Sequence, residues 1–388
     1  MNIFERMDAG LVLLDHERML VNSVRDLCRT QIAPRAVDYD RTGVFPWDNI
    51  QAINTLGLNT MFIPDAYGGA QLSFLCYLAC VREIAKACAS TGIIWATNFH
   101  AIKPLIEYGN EEQKQRLLPK IAQGGLASLA ITEPTAGSDA TGMRTTFTPS
   151  GNDIIISGGK TFITSGDVAD QFLLFGKWSE ISDPKAAISV LILEKGVDGL
   201  RILGTERKMG IRASSTASLA FDGCRVPRAN LIGKPGDGLK ILYGSLNRSR
   251  PSVAAHALGI ARAAFEDAVD YINERRQSGK RILEFQGIQF ILADMASELA
   301  LCESWLWRLG SMIDAGEQDF GIEASILKQR ASDAAMRITT DAVQLFGGYG
   351  YCNDYRVERL MRDAKITQIW EGTNQIHRQL IGRSFLKK

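Results

Sequence analysis

The sequence lacks several features that mark common classes of protein. In its 388 residues no apolar run approaches the ~18 residues of a membrane-spanning helix, so no membrane span is expected. Basic and acidic residues nearly cancel, at a formal net charge of +1, which favours neither nucleic acid nor a charged membrane surface as a partner. With only four histidines and no Cys-x-x-Cys pair, the seven cysteines are expected to be reduced and packed, without a metal site.

The catalytic motifs of several large enzyme classes are missing as well. The sequence has no P-loop, no His-Glu-x-x-His and no Gly-x-Ser-x-Gly. A glycine cluster at 347–350 follows a helical pattern rather than a strand, so it is not the dinucleotide-binding fingerprint. Nothing therefore supports a kinase, a zinc protease, a serine esterase or a nicotinamide enzyme.

The first residues, MNIFERMDAG, give an expectation about cellular location. They contain no basic stretch followed by an apolar run, as a secretory signal would, and they are not Arg- and Ser-rich like a transit peptide. We therefore expect a cytoplasmic protein, or one of the mitochondrial matrix if a transit peptide has been removed.

The first third of the chain has the pattern of helices. Apolar residues recur at helical spacing after Asp15, and Pro34 is expected to end that helix. Two apolar stretches that end at Cys88 and Gly109 predict buried helices. The N-terminal part of the chain is therefore expected to be all-helical.

The pattern changes at about Leu126. Short strand-like runs such as QFLLFGKW and AAISVLILE follow one another, separated by Gly, Asp, Asn and Pro. Because no long helix lies between them, we expect a compact antiparallel β-barrel or sandwich.

Helical spacing returns from about Gly238. Three long amphipathic segments within 253–346 and a fourth beyond Gly372 predict a four-helix bundle. The expected fold class is α+β and multidomain, with a helical domain, a central β domain and a bundle at residues 1–125, 126–237 and 238–388.

Two segments of the β region combine small, hydroxylated and aromatic residues. The first, ITEPTAGSD, places Thr132 and Ser138 beside backbone that a ligand can approach. The second, GGKTFITSGD, presents Phe162 as a side chain to lie on a planar ring and Thr164 as one to bond the edge of that ring. Taken alone, each also fits an ordinary turn or a core strand.

A third segment, NRSRPSVAA, reads as the start of a long helix, because Pro251 suits the first helical turn. Arg248 and Arg250 would then oppose the helix dipole, which suggests an anionic partner. A pair of solvated charges is an equal alternative.

The fourth segment, AKITQIWEGTNQIHRQLIGR, contains a carboxylate in an apolar setting. Glu371 follows Trp370, and such a carboxylate suits a general base that works near neutral pH. Gly372 allows close approach of the backbone to a ligand, and Thr373 and Gln375 fit the start of a helix whose amides face a phosphate. A carboxylate satisfied by backbone donors at a helix start is the alternative.

Together these segments resemble the acyl-CoA dehydrogenase family along nearly the whole chain. The matching signatures are ITEPTAGSD, GGKTFITSG, MGIRASSTASLAFDGCRVP, RPSVAA, ERRQSGKRILEFQGIQFILADMA, QLFGGYGY and LMRDAKITQIWEGTNQI. Several long signatures in family order are far more specific than one motif. The resemblance implies the family's helical, β and four-helix-bundle domains, non-covalent FAD and usually a homotetramer.

The resemblance also implies roles for single residues. Glu371 falls on the position of the catalytic base. Positions that flank the flavin ring fall on Leu129, Ile131, Thr132, Phe162 and Thr164. Positions that contact the FAD diphosphate and adenosine, some from a neighbouring subunit, fall on Arg275, Gln344, Gly348, Thr373 and Gln375. Four residues are expected to bind substrate: Ser138, Arg250, Tyr243 and Gly372.

Several positions depart from the family pattern, among them Phe162, Ser249 and Ser278, which stands where many relatives have Phe. Phe162 stands where many relatives have Trp, which bears on contact with the electron acceptor. Ser249 occupies the region where one branch of the family places an alternative base, so that alternative lacks support here.

The implied activity is α,β-dehydrogenation of an acyl-CoA thioester to the trans-2-enoyl-CoA. Glu371 would remove the α-proton, FAD would accept the β-hydrogen as hydride, and an electron-transferring flavoprotein would receive the electrons. The alternatives are an acyl-CoA oxidase that uses O₂, a desulfinase-like elimination, and a catalytically silent FAD-binding protein on the same scaffold. Glu371 counts against the elimination, which needs no α-proton base, and the length, branching or ring of the acyl group stays open.

Overall fold

A computed structural model describes residues 2–386 of the chain. Its N-terminal part is helical, as expected, and a π-helical turn at Cys28–Ile32 joins the second helix to the third. The helices are α1 (Ile3–Ala9), α2 (Asp15–Leu27), α3 (Ala33–Thr42), α4 (Trp47–Thr55), α5 (Phe74–Ala87), α6 (Ala89–Tyr108) and α7 (Glu111–Ala122).

The expectation that Pro34 ends a helix was wrong. Pro34 lies in the first turn of α3, directly after the π-helical turn. Proline is tolerated there because the first turn of a helix leaves its backbone N–H groups unpaired in any case. The helical path therefore continues past Pro34 to Gly43, which adopts a left-handed conformation with φ of +68°.

Strands follow from Ala127 onward and form one eight-stranded sheet in the order β6-β7-β3-β2-β4-β5-β8, with β1 paired to β4. Their bounds are β1 (Ala127–Ala130), β2 (Thr146–Ser150), β3 (Asp153–Thr164), β4 (Gln171–Trp178), β5 (Ile188–Glu194), β6 (Leu200–Thr205), β7 (Thr216–Pro227) and β8 (Leu231–Ile232).

The sheet is mixed rather than purely antiparallel. Strands β1 and β2 both run parallel to β4, while the other pairings within this sheet are antiparallel. A parallel pair needs a long crossover, and residues 131–170 provide one between β1 and β4. This pairing correlates residues far apart in the chain, so turn signals could not reveal it.

The C-terminal part is helical again. It contains α8 (Gly238–Glu274), a short hairpin of β9 (Arg276–Gln277) and β10 (Lys280–Arg281), then α9 (Gln286–Asp314), α10 (Gly321–Phe346), α11 (Val357–Lys365) and α12 (Asn374–Ser384). Helix α10 packs against α8, α9, α11 and α12, which forms the predicted bundle with one additional short helix.

Helix α8 begins earlier than the sequence suggested. It has 37 residues, and Pro251 lies inside it rather than in its first turn. Arg248 and Arg250 therefore lie in mid-helix, and the argument that they oppose a helix dipole is wrong. The well-packed surroundings of α8 outweigh the cost of an interior proline.

One hydrophobic core joins the two helical parts. Residues of α2, α5, α6, α8, α9 and α10 belong to a single buried cluster, while a second cluster lies within the sheet. Helix α8 crosses α5 very closely, since a Cβ on Gly259 would lie 2.3 Å from the carbonyl oxygen of Arg82. No helix among residues 2–386 is long and apolar enough to cross a bilayer.

Candidate active site

Glu371 lies in a tight turn between α11 and α12. Its φ is +53° and that of Gly372 is +95°, so two successive residues have left-handed backbone. Helix α12 then begins with Thr373 as its N-cap, whose hydroxyl accepts from the backbone N–H of Ile376 at 3.4 Å. A glutamate rarely adopts positive φ, and such strain is found where surrounding contacts hold it.

The carboxylate of Glu371 is partly buried and is directed toward α8. The Ser249 hydroxyl donates to Oε2 of Glu371 at 2.5 Å. Among residues 2–386, no other side chain forms a hydrogen bond with this carboxylate. The direction of the carboxylate therefore depends on one contact across the 122 positions that separate the two residues.

Two buried cations lie near Glu371. The Lys328 ammonium on α10 donates to the carbonyl oxygen of Gly372 at 2.7 Å and to Oδ1 of Asn374 at 3.0 Å. Burial lowers the pKa of Lys328 to about 7, although the charge of Glu371 opposes this. Lys328 thus holds the strained turn at Gly372 and the start of α12 at Asn374.

Arg250 is the second cation. Its Nη1 donates to Oδ1 of Asn247 at 2.9 Å and to the hydroxyl of Ser325 on α10 at 3.3 Å. Burial lowers the pKa of Arg250, and the charge of Glu371 raises it. Arg250 therefore ties α8 to α10 beside the carboxylate.

A carboxamide network fixes the start of α12. The Asn374 side chain donates to Oδ1 of Asp333 at 2.8 Å and to the Ser332 hydroxyl at 2.9 Å, and the Gln368 side chain donates to the same Asp333 oxygen at 2.6 Å. Burial alone would raise the pKa of Asp333, but hydrogen bonds from Gln368, Gln329 and Asn374 lower it. The turn that carries Glu371 is thus anchored on both sides.

A buried set of hydrogen-bonded side chains, Ser252, Tyr77 and His100, lies close to Glu371. The hydroxyl of Ser252, three residues after Ser249 on α8, lies 2.9 Å from the Tyr77 hydroxyl and 3.0 Å from Nε2 of His100. Burial lowers the pKa of His100, an effect that the charge of Glu371 opposes. Behind this set, the rings of Tyr77 and Phe99 pack at 4.5 Å between centroids.

A second group of predicted site residues gathers at the ends of β1 and β3. The N–H of Thr161 donates to the carbonyl of Thr132 at 2.9 Å, and the Ser128 hydroxyl donates to the carbonyl of Thr164 at 2.7 Å. Phe162 lies on an irregularity of β3 with φ of +58°, and its side chain is 62% exposed. Leu129 and Ile131 are partly buried on the adjoining strand end.

The hydroxyls of Thr132 and Thr164 have no hydrogen-bond partner within residues 2–386. With the exposed ring of Phe162, they form an open surface of one aromatic face and two hydroxyl groups. This combination fits the edge and face of a planar heterocycle.

A buried ion pair supports the backbone beneath that surface. The Lys160 ammonium lies 2.8 Å from Oε1 of Glu133 and 2.8 Å from the carbonyl oxygen of Ile131. Glu133 also accepts from the backbone N–H groups of Arg144 and Thr145. Burial lowers the pKa of Lys160 to about 8, and Glu133 opposes that shift.

A third group of predicted residues lines one cavity. Arg275, Gln344 and Gly348 border a cavity of about 500 Å³ between the end of α8 and the end of α10. The rings of Tyr271 and Phe346 stack at its wall with centroids 4.1 Å apart. A guanidinium, an amide and aromatic rings around such a space suit a nucleotide's phosphates and base.

Four predicted residues are still to be placed. Tyr243 is exposed on α8, and Ser138 is exposed in the loop after β1. Thr373 and Gln375 begin α12 and do not line the cavity at Gly348. Within one chain the structure therefore brings together only part of the predicted nucleotide-contacting set.

Sequence reasoning missed Lys328, Asn374 and the set around Ser252. Lys328 carried a usable signal, because it falls on the apolar stripe of α10 between Ala324 and Ala331. A lysine on a buried stripe needs a partner. Asn374 and Ser252 gave no signal of this kind.

Three family models match successive parts of the chain. A model described as "Acyl-CoA dehydrogenase, N-terminal domain" matches residues 15–125, one for the middle domain matches 128–224, and one for the C-terminal domain matches 236–386. Together they extend over most of the sequence.

Individual proteins are similar over nearly the whole length. An acyl-CoA dehydrogenase of Bacillus subtilis (strain 168) is 42% identical, with 95% of this chain and 97% of the relative covered. The butyryl-CoA dehydrogenase structure from Megasphaera elsdenii has a TM-score of 0.94 at 37% identity, over 97% of this chain and 99% of that one. A chain from a structural study of the electron transferring flavoprotein of Acidaminococcus fermentans also has a TM-score of 0.94. It is 39% identical, and the match covers 97% of this chain and 99% of that one.

Proposed function

The chain belongs to the acyl-CoA dehydrogenase family, and we propose that Glu371 is the base that removes the α-proton of its acyl-CoA substrate. The protein is an oxidoreductase of the CH–CH class that converts an acyl-CoA thioester to the trans-2-enoyl-CoA. The observation that carries the proposal is the partly buried Glu371 carboxylate, held by Ser249 in a turn that α10 anchors.

The family depends on FAD, and the residues present here fit that group. When bound, FAD supplies the acceptor for the β-hydrogen of the substrate. We propose that Leu129, Ile131, Thr132, Phe162 and Thr164 flank its ring. We further propose that Arg275, Gln344, Gly348, Thr373 and Gln375 contact its diphosphate and adenosine. The open hydroxyls of Thr132 and Thr164 and the cavity of about 500 Å³ support this assignment.

Proton removal requires stabilisation of the negative charge that develops on the thioester oxygen. The backbone N–H of Glu371 donates no hydrogen bond within residues 2–386, so it is a suitable donor to that oxygen. Arg250, which is buried close by, adds positive charge to the same region. The turn at Glu371 would therefore present both the carboxylate that removes the proton and an N–H donor for the thioester oxygen.

Substrate contacts are proposed at four places. Ser138 and Tyr243 are exposed and accessible to a thioester tail, whereas Arg250 is buried and acts through charge. Gly372 follows the proposed base directly, and its left-handed backbone, at φ of +95°, supports a proposed role in bringing the main chain close to the substrate. A short, branched or cyclic acyl group is proposed, and the packing of Trp95 and Phe99 against Tyr77 supports it.

The remaining proposals concern partners and assembly. We propose an electron-transferring flavoprotein as electron acceptor, supported by the similar chain from the Acidaminococcus study and by the exposed edge at Phe162. A homotetramer is proposed as well. Thr373 and Gln375, which are expected to contact FAD, lie outside the cavity at Gly348, so they would reach the FAD of a neighbouring subunit. Three domains at 1–125, 126–237 and 238–388 are proposed from the change between helical and strand segments.

The test of the base is Glu371→Gln in the FAD-loaded enzyme. The variant should retain FAD but lose substrate-dependent bleaching of the flavin by about 10²–10⁴-fold, the usual contribution of a general base. Stopped-flow absorbance under anaerobic conditions measures the rate.

Glu112→Gln, an exposed change on α7, is the matched control and should bleach at the parent rate. Rapid bleaching by Glu371→Gln would remove Glu371 from the role.

A further inference from the structure

Ser249 is buried on α8, and its hydroxyl faces two acceptors. Its Oγ lies 2.5 Å from Oε2 of Glu371 and 3.1 Å from the carbonyl oxygen of Leu246. The side chain is 1% exposed, so water does not supply an alternative partner. A serine hydroxyl carries one hydrogen, and it can donate to only one of the two acceptors at a time.

The protonation state of Glu371 decides between these acceptors. A charged carboxylate is a stronger acceptor than a neutral carbonyl, so the hydroxyl donates to Glu371 when that group is ionised. Once Glu371 carries a proton, its own O–H has Oγ of Ser249 as an acceptor. The Ser249 hydroxyl then donates its hydrogen to the carbonyl oxygen of Leu246 instead. The ionised and the protonated forms of Glu371 therefore each have a hydrogen-bond partner in Ser249, and the switch needs only rotation of the hydroxyl.

Neither basic side chain near Glu371 can take both roles, because an ammonium and a guanidinium only donate hydrogen bonds. The Lys328 ammonium is engaged with Gly372 and Asn374, and Nη1 of Arg250 is engaged with Asn247 and Ser325. The titratable groups that face Glu371 from the surrounding helices are Arg250 of α8, Lys328 of α10, Tyr77 of α5, His100 of α6 and His377 of α12. Within residues 2–386, none of them hydrogen-bonds to the carboxylate itself.

We propose that Ser249 is a positioning residue for the base, which directs the ionised carboxylate at the substrate and accepts its hydrogen bond after proton transfer. This inference rests on the proposed role of Glu371. The α-proton passes from the substrate carbon to Glu371, the C–H electron pair stays with the substrate, and Ser249 keeps its own hydrogen. Ser249 therefore changes partner but is neither acid nor base.

The test compares Ser249→Ala with the parent holoenzyme. Loss of one hydrogen bond to a charged group predicts a rate of flavin bleaching lower by about 10- to 100-fold. The Kd for acyl-CoA should change by less than about threefold, because the proposal assigns the hydroxyl to Glu371 and not to the substrate. The acidic limb of the pH profile of bleaching should move to higher pH, because the ionised form of the base loses its donor.

Two further variants separate positioning from packing. Ser249→Thr keeps the hydroxyl and should restore the rate to within about threefold of the parent, while Ser249→Cys, a weak donor of similar size, should fall between Ala and parent. Ser245→Ala is the matched control, since Ser245 is also buried on α8 and its hydroxyl donates to the carbonyl of His100 rather than to Glu371. It should leave the rate and the pH profile unchanged.

The outcome that overturns the inference is a folded, FAD-loaded Ser249→Ala enzyme with the parent rate and the parent pH profile. If Ala does not fold, Ser249→Cys decides in the same way, because a parent-like rate without a strong donor excludes the role. Failure of the base assignment is a separate result. In that case Glu371→Gln bleaches rapidly, whatever Ser249→Ala does.

Discussion

The local surroundings of Glu371 are set by residues that are distant from it in the chain. Ser249 directs the carboxylate from α8, while Lys328 of α10 holds the carbonyl of Gly372. A strained backbone conformation at Glu371 is maintained by these contacts rather than by its sequence neighbours. The carboxylate proposed as the base is therefore oriented by the protein itself.

Lys328 should affect stability in a way that depends on pH. Burial lowers its pKa from 10.5 to about 7, so between those values the unfolded chain binds a proton that the folded chain does not. Stability attributable to Lys328 therefore rises with pH across this window, with a slope of up to about 1.4 kcal/mol per pH unit. Lys328→Met should lose that slope, and the Tm difference between variant and parent, measured from pH 7 to 10, reports it.

The control for this prediction is Lys185→Met, which removes an exposed lysine. Its Tm difference from the parent should be flat across the same range. A flat Tm difference for Lys328→Met would mean that burial does not lower the pKa of Lys328.

Helix α8 is the element on which the site depends most. It carries Ser249, Arg250 and Ser252 toward the base, although Pro251 lies among them. A proline inside a helix removes one hydrogen bond, and the packing of α8 against α5, α6 and α10 compensates for it. The sequence pattern alone favoured a helix start at that proline, because the compensation comes from other parts of the chain.

The aromatic packing between α5 and α6 should limit acyl chain length. Phe99 lies behind Tyr77, whose hydroxyl contacts Ser252 one turn from Ser249. Phe99→Ala should open space behind Tyr77 and shift preference toward longer chains by one or two methylenes. Each methylene is worth about 0.8 kcal/mol, or roughly fourfold in affinity. Anaerobic titration with straight-chain acyl-CoA esters, followed by flavin absorbance, gives the order of preference.

A matched change, Phe385→Ala, removes an exposed ring near the C-terminus and should leave the preference as it is. An unchanged order of preference in Phe99→Ala would place the end of the acyl pocket elsewhere.

The molecule as a whole keeps three neutral histidines in its interior. Burial lowers the pKa of His256 to about 4 and that of His377 to about 3, and it also lowers the pKa of His100. An unfolded chain protonates these groups near their ordinary value of 6.5, so it binds more protons than the folded chain below that pH. Stability should therefore fall as the pH drops from about 6.5 to 4.

The prediction is tested with His256→Gln, which keeps a neutral donor toward the carbonyl of Ala89. The loss of stability between pH 6.5 and 4, followed by Tm, should be smaller than in the parent by up to about 1.4 kcal/mol per pH unit. His16→Gln, at an exposed position on α2, should behave as the parent does. Equal pH dependence of His256→Gln and the parent would exclude a contribution from His256.

At lower pH a second effect follows. Burial opposes ionisation of Glu83, but Arg82 and Arg25 lower its pKa to about 2. The stability from these ion pairs is present above the ordinary value near 4.5 and is lost as the pH falls toward 2. Acid should thus act first through the histidines and later through such carboxylates.

The order of helical, strand and helical segments, and the match to a family, could be read from the sequence alone. Helical spacing and turn residues are local signals, and long signatures such as LMRDAKITQIWEGTNQI are specific without any structure. Glu371 could be named as the expected base because its motif lies within one short segment. These inferences required only residues close together in the chain.

Tertiary structure alone decided the parallel pairing of β1 and β2 with β4, the length of α8 and the neighbours of Glu371. The contact between Ser249 and Glu371 spans 122 positions, and that between Lys328 and Gly372 spans 44. Partners at such separations are selected by how whole helices and strands pack, which local propensity does not encode. The sequence was thus enough to propose Glu371 as the base, while the contacts that orient its carboxylate depend on the fold.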